Sequence, residues 1–219
     1  MILYAIPTPL GASPAESLPA PALEQIRQIK NFLVEDAKSA RAFLGALGMP
    51  VRELNIREID ASTVLGEGPL GLLSEAGCPA IADPGAALIE AAHRAGWRVV
   101  PLVGPSSLVL ALMASGLEGQ RFAFCGYLPR EALERKDRIK ALEQRSRKER
   151  ETEIFIETPY RNDALFAALL ATCAPGTRLC VAADLTLATE SVSTKSVAEW
   201  RGAAGPGKRP AVFLLQATG

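Results

Sequence analysis

At 219 residues, with 48% apolar and 22% charged side chains, the chain is long enough to bury the cores of two small α/β domains and has the balance of an ordinary globular fold. Its 24 basic and 24 acidic residues cancel, so no global field marks a polyanion partner, and a lone histidine, His93, on a helical pattern gives little support to a histidine-based triad or a multi-histidine metal site. Four cysteines without a Cys-x-x-Cys pair exclude a disulfide framework and a zinc site, and point to reduced thiols in a cytoplasm.

The start, MILYAIPTPLG, lacks the basic region of a signal peptide, and no apolar run of about 18 residues predicts a membrane span. Ile2–Ile6 is a short apolar run stopped by Pro7 and Pro9 and reads as a buried strand. A helix follows over 22–29. Asn31–Val34 is a second strand with Glu35 and Asp36 at its C-terminal end, and Asp36 is placed to cap a helix Ala37–Leu47 that stops at Gly48. Val51–Ile56 reads as a third strand. Leu70–Leu73 is a fourth, running into Ser74-Glu75-Ala76-Gly77-Cys78-Pro79. Asp83-Pro84-Gly85 opens the next helix, with Asp83 as its cap and Pro84 at its first position, and that helix ends at Gly96. His93 falls on it between Ile89 and Trp97, as a packed or half-exposed residue. Trp97–Val103 is a strand, and Gly104-Pro105-Ser106-Ser107 begins a small-residue helix ending near Gly116.

The seam lies near 117–121 and divides the chain into domains 1–116 and 117–219. In the second, Phe122–Leu128 is a strand, 131–150 a charged helix, 153–157 a strand, Tyr160–Ala171 a helix and Arg178–Ala183 a strand; Ser191–Val197 and Ala211–Gln216 add two more. Strands alternating with helices predict an α/β fold of two domains with mainly parallel sheets. Charge is uneven: residues 1–115 carry 8 basic and 11 acidic side chains, whereas Arg130 to Arg150 alone holds nine basic and five acidic ones. Arg135, Arg138, Arg145 and Lys148 step along one side of that helix, as a solvated face or as a face toward a polyanion.

Ligands of open α/β sheets bind beyond the C-terminal ends of strands. Five such ends carry unusual residues: Pro7 to Gly11, Glu35-Asp36, Ser74 to Pro79, Gly104 to Ser107, and Glu157-Thr158-Pro159. Small residues let the backbone approach a ligand. Ser106 and Ser107 either cap a helix or border an anionic group at its N-terminus. Glu75 and Asp83 suit an ammonium or ribose hydroxyls, although Asp83 also reads as a plain cap. Neither a dinucleotide nor a nucleoside-triphosphate glycine motif is present.

Taken in order, these segments resemble the tetrapyrrole methylase superfamily, the class III S-adenosylmethionine methyltransferases, and within it the bacterial 16S rRNA ribose 2′-O-methyltransferases. Pro7-Thr8-Pro9-Leu10-Gly11 and Val34-Glu35-Asp36 carry the resemblance, as does Ser74 to Pro79 followed by Asp83-Pro84-Gly85, similar to S-D-A-G-x-P and D-P-G. Val100 to Pro105 is similar to V-P-L-P-G-P, and Arg121-Phe122 through Gly126-Tyr127-Leu128-Pro129 to R-F and G-F-L-P. The resemblance spans nearly the whole chain. It implies S-adenosyl-L-methionine as cofactor in a cleft between the domains, a homodimer, no resident metal, and rRNA or a ribosomal subunit as partner in the cytoplasm. The implied cofactor residues are Pro7, Thr8, Pro9 and Leu10; Ser74, Glu75, Ala76, Gly77, Cys78, Ile81 and Ala82; Gly104, Pro105, Ser106 and Ser107; Phe155 and Glu157; Ala183 and Leu185; and Pro210 and Ala211. The chain departs from the rRNA branch at three places. Glu157-Thr158-Pro159-Tyr160-Arg161 stands for E-S-x-H-R, Ala182 to Leu187 for A-R-E-L-T-K, and Lys208-Arg209-Pro210 for K-G-E.

Methyl transfer from a sulfonium needs positioning, and a ribose hydroxyl must also lose a proton. The candidate carboxylates are Glu35, Glu157 and Asp184. Two alternatives stay open: methylation of a small tetrapyrrole-like molecule, and a cofactor-binding protein without turnover.

Overall fold

Residues 1–218 are described by the computed structural model, and they divide into two units, Met1–Ser106 and Ser107–Gly219. The first unit holds β1 (Ile2–Ile6), α1 (Pro14–Ser17), α2 (Ala20–Arg27), β2 (Asn31–Val34), α3 (Ala37–Ala46), β3 (Asn55–Glu58), β4 (Leu70–Leu73), α4 (Ala86–Arg94) and β5 (Arg98–Pro101). Its sheet runs β3-β2-β4-β1-β5 with every pairing parallel. β4 lies at the centre and buries all four of its residues, as expected of a parallel strand covered on both faces. β3 is an edge strand with mostly exposed side chains.

The second unit holds α5 (Ser107–Ser115), β6 (Phe122–Tyr127), α6 (Ala132–Glu149), β7 (Thr152–Ile156), α7 (Asn162–Thr172), β8 (Arg178–Ala183), β9 (Ser191–Ser196), α8 (Val197–Trp200) and β10 (Ala211–Gln216). Its sheet runs β6-β7-β10-β8-β9. Over the chain the sheets are mainly parallel, five of eight pairings, but the three antiparallel ones all involve β10 or β9 in this second sheet. The core between sheet and helices includes Phe155 and Phe213, stacked at 6.1 Å, and Trp200, whose indole N–H donates to the Leu179 carbonyl at 2.8 Å.

Several boundaries differ from expectation for local reasons. The division falls before α5, ahead of 117, because that helix packs on β8, β9 and β10. Val51–Glu53 is a 3-10 turn, held by Glu53 N–H on the Pro50 carbonyl at 2.8 Å, and the strand starts only at Asn55. Asp83 does not cap α4. Gly85 does, at φ 126°, while Pro84 turns its carbonyl back to the Ala80 N–H at 3.3 Å. Pro159–Arg161 forms a 3-10 turn ahead of α7, which begins at Asn162. Asp36 caps α3 as read, accepting from the Ser39 N–H at 2.7 Å. His93 is exposed on α4. No described helix is long and apolar enough to cross a membrane.

Candidate functional site

The first sheet sets the ends of β2, β4, β1 and β5 side by side, so Glu35, Ser74, Pro7 and the segment up to Gly104 share one edge. The loops after β1 and β4 are tied together there. Thr8 N–H donates to the Gly77 carbonyl at 2.9 Å and Gly77 N–H returns to Thr8 at 3.0 Å, while the Ser74 hydroxyl also reaches the Gly77 carbonyl at 3.1 Å. The loop after β5 joins through Cys78, whose thiol lies 3.4 Å from the Pro105 carbonyl. The loop after β2 joins through the Glu75 N–H, which donates to the Glu35 carboxylate at 3.1 Å. Gly104 has to be glycine on grounds of space: a Cβ there would sit 2.5 Å from Pro7 and 2.7 Å from Leu18.

Thr8, Ser74 and Gly77 are buried in this knot; Pro9, Leu10, Pro105, Ser106 and Ser107 are half-buried; Glu75, Ala76, Ile81 and Ala82 are exposed. Ala80 and Ala82 both stand at φ 64°, a left-handed conformation that costs an L-residue of order 1 kcal/mol and gathers at functional loops. Freed from capping, Asp83 becomes the residue that the sequence reading undervalued. Burial, and then the neighbouring carboxylates of Glu35 and Glu75, push its carboxyl up to about 6. The sequence offers Asp83 both as a cap and as an acceptor for an ammonium or ribose hydroxyls, and the proximity of two other acids is a tertiary fact.

In the second unit the ends of β6, β7 and β8 and the start of β10 lie at one end of the sheet, because β10 runs antiparallel to both neighbours. Glu157, Asp184, Leu185, Pro210 and Ala211 therefore share an edge. Phe155, Ala183 and Ala211 bury their side chains in the core, so only their backbone is open to a ligand. Glu157 is buried and bonded to Arg161 and to the Thr158 N–H, and Asp184, at φ 53°, lies 3.9 Å from Arg209. Beside them the Thr186 hydroxyl is buried without a hydrogen-bond partner among the described residues.

The basic face expected on α6 does not form as read. Arg145 turns in to the buried Glu153 and to Glu151 at 3.0 Å, and Arg135 is half-buried beside the Ile139, Leu142 and Ser146 face. Arg138 and Lys148 remain exposed. The cysteines stay free, and burial holds their thiols up, Cys125 at about 11 and Cys173 at about 12, so none is a ready nucleophile. No cluster of potential metal ligands occurs among the described residues.

No family model matches the chain. It is 32% identical over 205 residues to ribosomal RNA small subunit methyltransferase I of Escherichia coli O157:H7, covering 90% of this chain and 70% of that protein. It is 34% identical over 206 residues to the protein of the same name from Neisseria meningitidis serogroup B, covering 90% and 68%. Among solved structures it superposes on a diphthine synthase with TM-score 0.67 at 16% identity, over 99% of this chain and 89% of that one. The methyltransferase CobJ gives 0.62 at 18%, over 99% and 94%. These distant structures establish the fold, the two-unit architecture of the class III methyltransferases.

Proposed function

We propose a function on the premise that the curated relatives establish: this chain belongs to the ribosomal RNA small subunit methyltransferase I family. It is a methyltransferase, and in our reading it moves a methyl group from S-adenosyl-L-methionine to a ribose 2′-hydroxyl of small-subunit rRNA, as a cytoplasmic homodimer. The observation that carries the reading is the intact knot of loops after β1, β2, β4 and β5 in a chain a third identical to rRNA methyltransferases.

The residues present fit the cofactor. Glu35, Glu75 and Asp83 give a cationic ligand a negative wall, and the missing side chains at Gly77 and Gly104 let the loops close around a bound molecule. When bound, the cofactor supplies an activated methyl on a sulfonium. What the chain does is hold and orient. Its carboxylates complement the positive charge, and the loops fix the acceptor in line. Asp83, with a carboxyl near 6, is the group best poised to take the acceptor's proton, ahead of Glu157 and Asp184, which face arginines.

Two measurements test this. A deletion strain should lose one ribose methyl from small-subunit rRNA by mass spectrometry and regain it on complementation; an unchanged rRNA profile overturns the substrate and leaves the small-molecule and non-catalytic readings. Calorimetric titration of S-adenosylmethionine between pH 5 and 8 should show affinity rising through about 6 as Asp83 ionises against the cation. S-adenosylhomocysteine, whose sulfur is neutral, should respond less, and Asp83→Asn should flatten the profile. An equally steep profile in Asp83→Asn removes Asp83 from the site.

A further inference from the structure

The end of the second sheet opposite Glu157 and Asp184 holds a cavity of about 480 Å³ lined by Arg147, Arg150, Arg178, Gln216, Thr218 and Glu118. It lies at the start of β8 and the end of β10, some 20 Å of strand away from the candidate cofactor edge. Three guanidiniums converge on it from two elements: Arg147 and Arg150 from the C-terminal end of α6, Arg178 from β8.

Among the described residues no ion pair neutralises them, since none of the three is within salt-bridge distance of a carboxylate, whereas the acids nearby are engaged: Glu149 by Arg121, and Glu151 and Glu153 by Arg145. The one acid in the lining, Glu118, turns its carboxylate to the Gln120 N–H at 2.7 Å. The arginines are held by neutral acceptors instead. Arg178 donates to the Gly116 carbonyl at 2.8 Å and toward Gln216 at 3.4 Å, and Arg147 Nε to the Thr218 carbonyl at 3.2 Å. Each retains N–H groups for a ligand. Favourable placement of cations at a helix C-terminus accounts for Arg147 and Arg150 separately. It does not account for Arg178, which belongs to a strand. Arg150 also occupies the left-handed helix-ending position, φ 53°, where glycine is the comfortable residue.

We infer that this cavity is a second RNA-backbone site, in which Arg147, Arg150 and Arg178 grip a phosphate remote from the methylated nucleotide. Planar guanidinium forks match phosphate oxygens, and phosphate contacts fix register without reading sequence. The inference rests on the rRNA reading and gives the enzyme a footprint reaching past its reaction centre.

The test uses purified small ribosomal subunits as probe, binding measured across a salt series. Arg147→Ala with Arg150→Gly leaves Arg178 and its structural bonds in place, and Arg150→Gly alone relieves the left-handed position, so its melting temperature should hold or rise by a few degrees. The double variant should bind on the order of tenfold more weakly at low salt, with the log–log salt slope reduced by about one, while S-adenosylmethionine affinity is unchanged. Wild-type affinity and slope in the double variant overturn the site. A wild-type protein that binds no subunit at any salt overturns the rRNA reading itself, a result distinct from the former.

Discussion

Gly104→Val should sharply weaken cofactor binding and destabilise the first unit. The Cβ alone would stand 2.5 Å from Pro7 and 2.7 Å from Leu18, closer than real contacts allow. Neither neighbour yields easily: Pro7 is a rigid ring, and Leu18 is 5% exposed within the core beside α2. The strain must move the loops after β1 and β5 apart. Because Thr8 follows Pro7 and pairs with Gly77, the displacement passes to the loop after β4. Overpacking of this kind costs about 1–3 kcal/mol or more. An affinity loss on the order of a hundredfold, about 2.7 kcal/mol, should accompany it. Gly104→Ala should act in the same direction to a smaller degree. Gly119, whose Cβ would meet nothing within 4 Å, is the control, and Gly119→Ala should stay within about 0.5 kcal/mol. Urea unfolding and calorimetric titration read both effects, and cofactor affinity at the wild-type level in a folded Gly104→Val protein would remove the β1–β5 edge from the site.

The strand ends that make up this site were legible because they are local. β1, β2, β4, β8 and β10 are short apolar runs bounded by proline, glycine or charge, and they form with the expected limits. Pairing direction was not local. AVFLLQ in β10 reads like any strand buried on both faces, and only its place between β7 and β8 makes it antiparallel. α5 follows β5 directly in the chain and its apolar residues surround it, so nothing in the pattern says which unit it joins. Arg145 illustrates the same limit on a surface: helical spacing set it beside Arg138, while the buried Glu153 of β7 draws it away. Tertiary neighbours likewise turned Asp83, read as a cap or a ligand contact, into a candidate acid.

Arg161→Met should cost about 3 kcal/mol or more, and the size of its rescue decides what Glu157 does. The Glu157 side chain is 1% exposed and its partner Arg161 28%, one helical turn on, with the Thr158 N–H bonded to the same carboxylate oxygen at 2.6 Å. Removing the guanidinium leaves a buried carboxylate without its counter-charge, and breaking a buried pair from one side costs about 3–5 kcal/mol. Adding Glu157→Gln takes away the orphaned charge and keeps an acceptor for Thr158, so the double variant should recover most of the loss in urea unfolding. If the pair serves to position the end of β7, methyl transfer should recover with the fold, kcat lying within a few-fold of wild type. General-base loss has a different size, about 10²–10⁴ in kcat, and no restoration of stability would repair it. A double variant as stable as wild type yet slowed by that factor would place Glu157 at the reacting atoms and displace Asp83 from the role. The expected outcome is the other one. A carboxylate this enclosed, already accepting from an arginine and a backbone N–H, has little freedom to receive a proton from an acceptor hydroxyl.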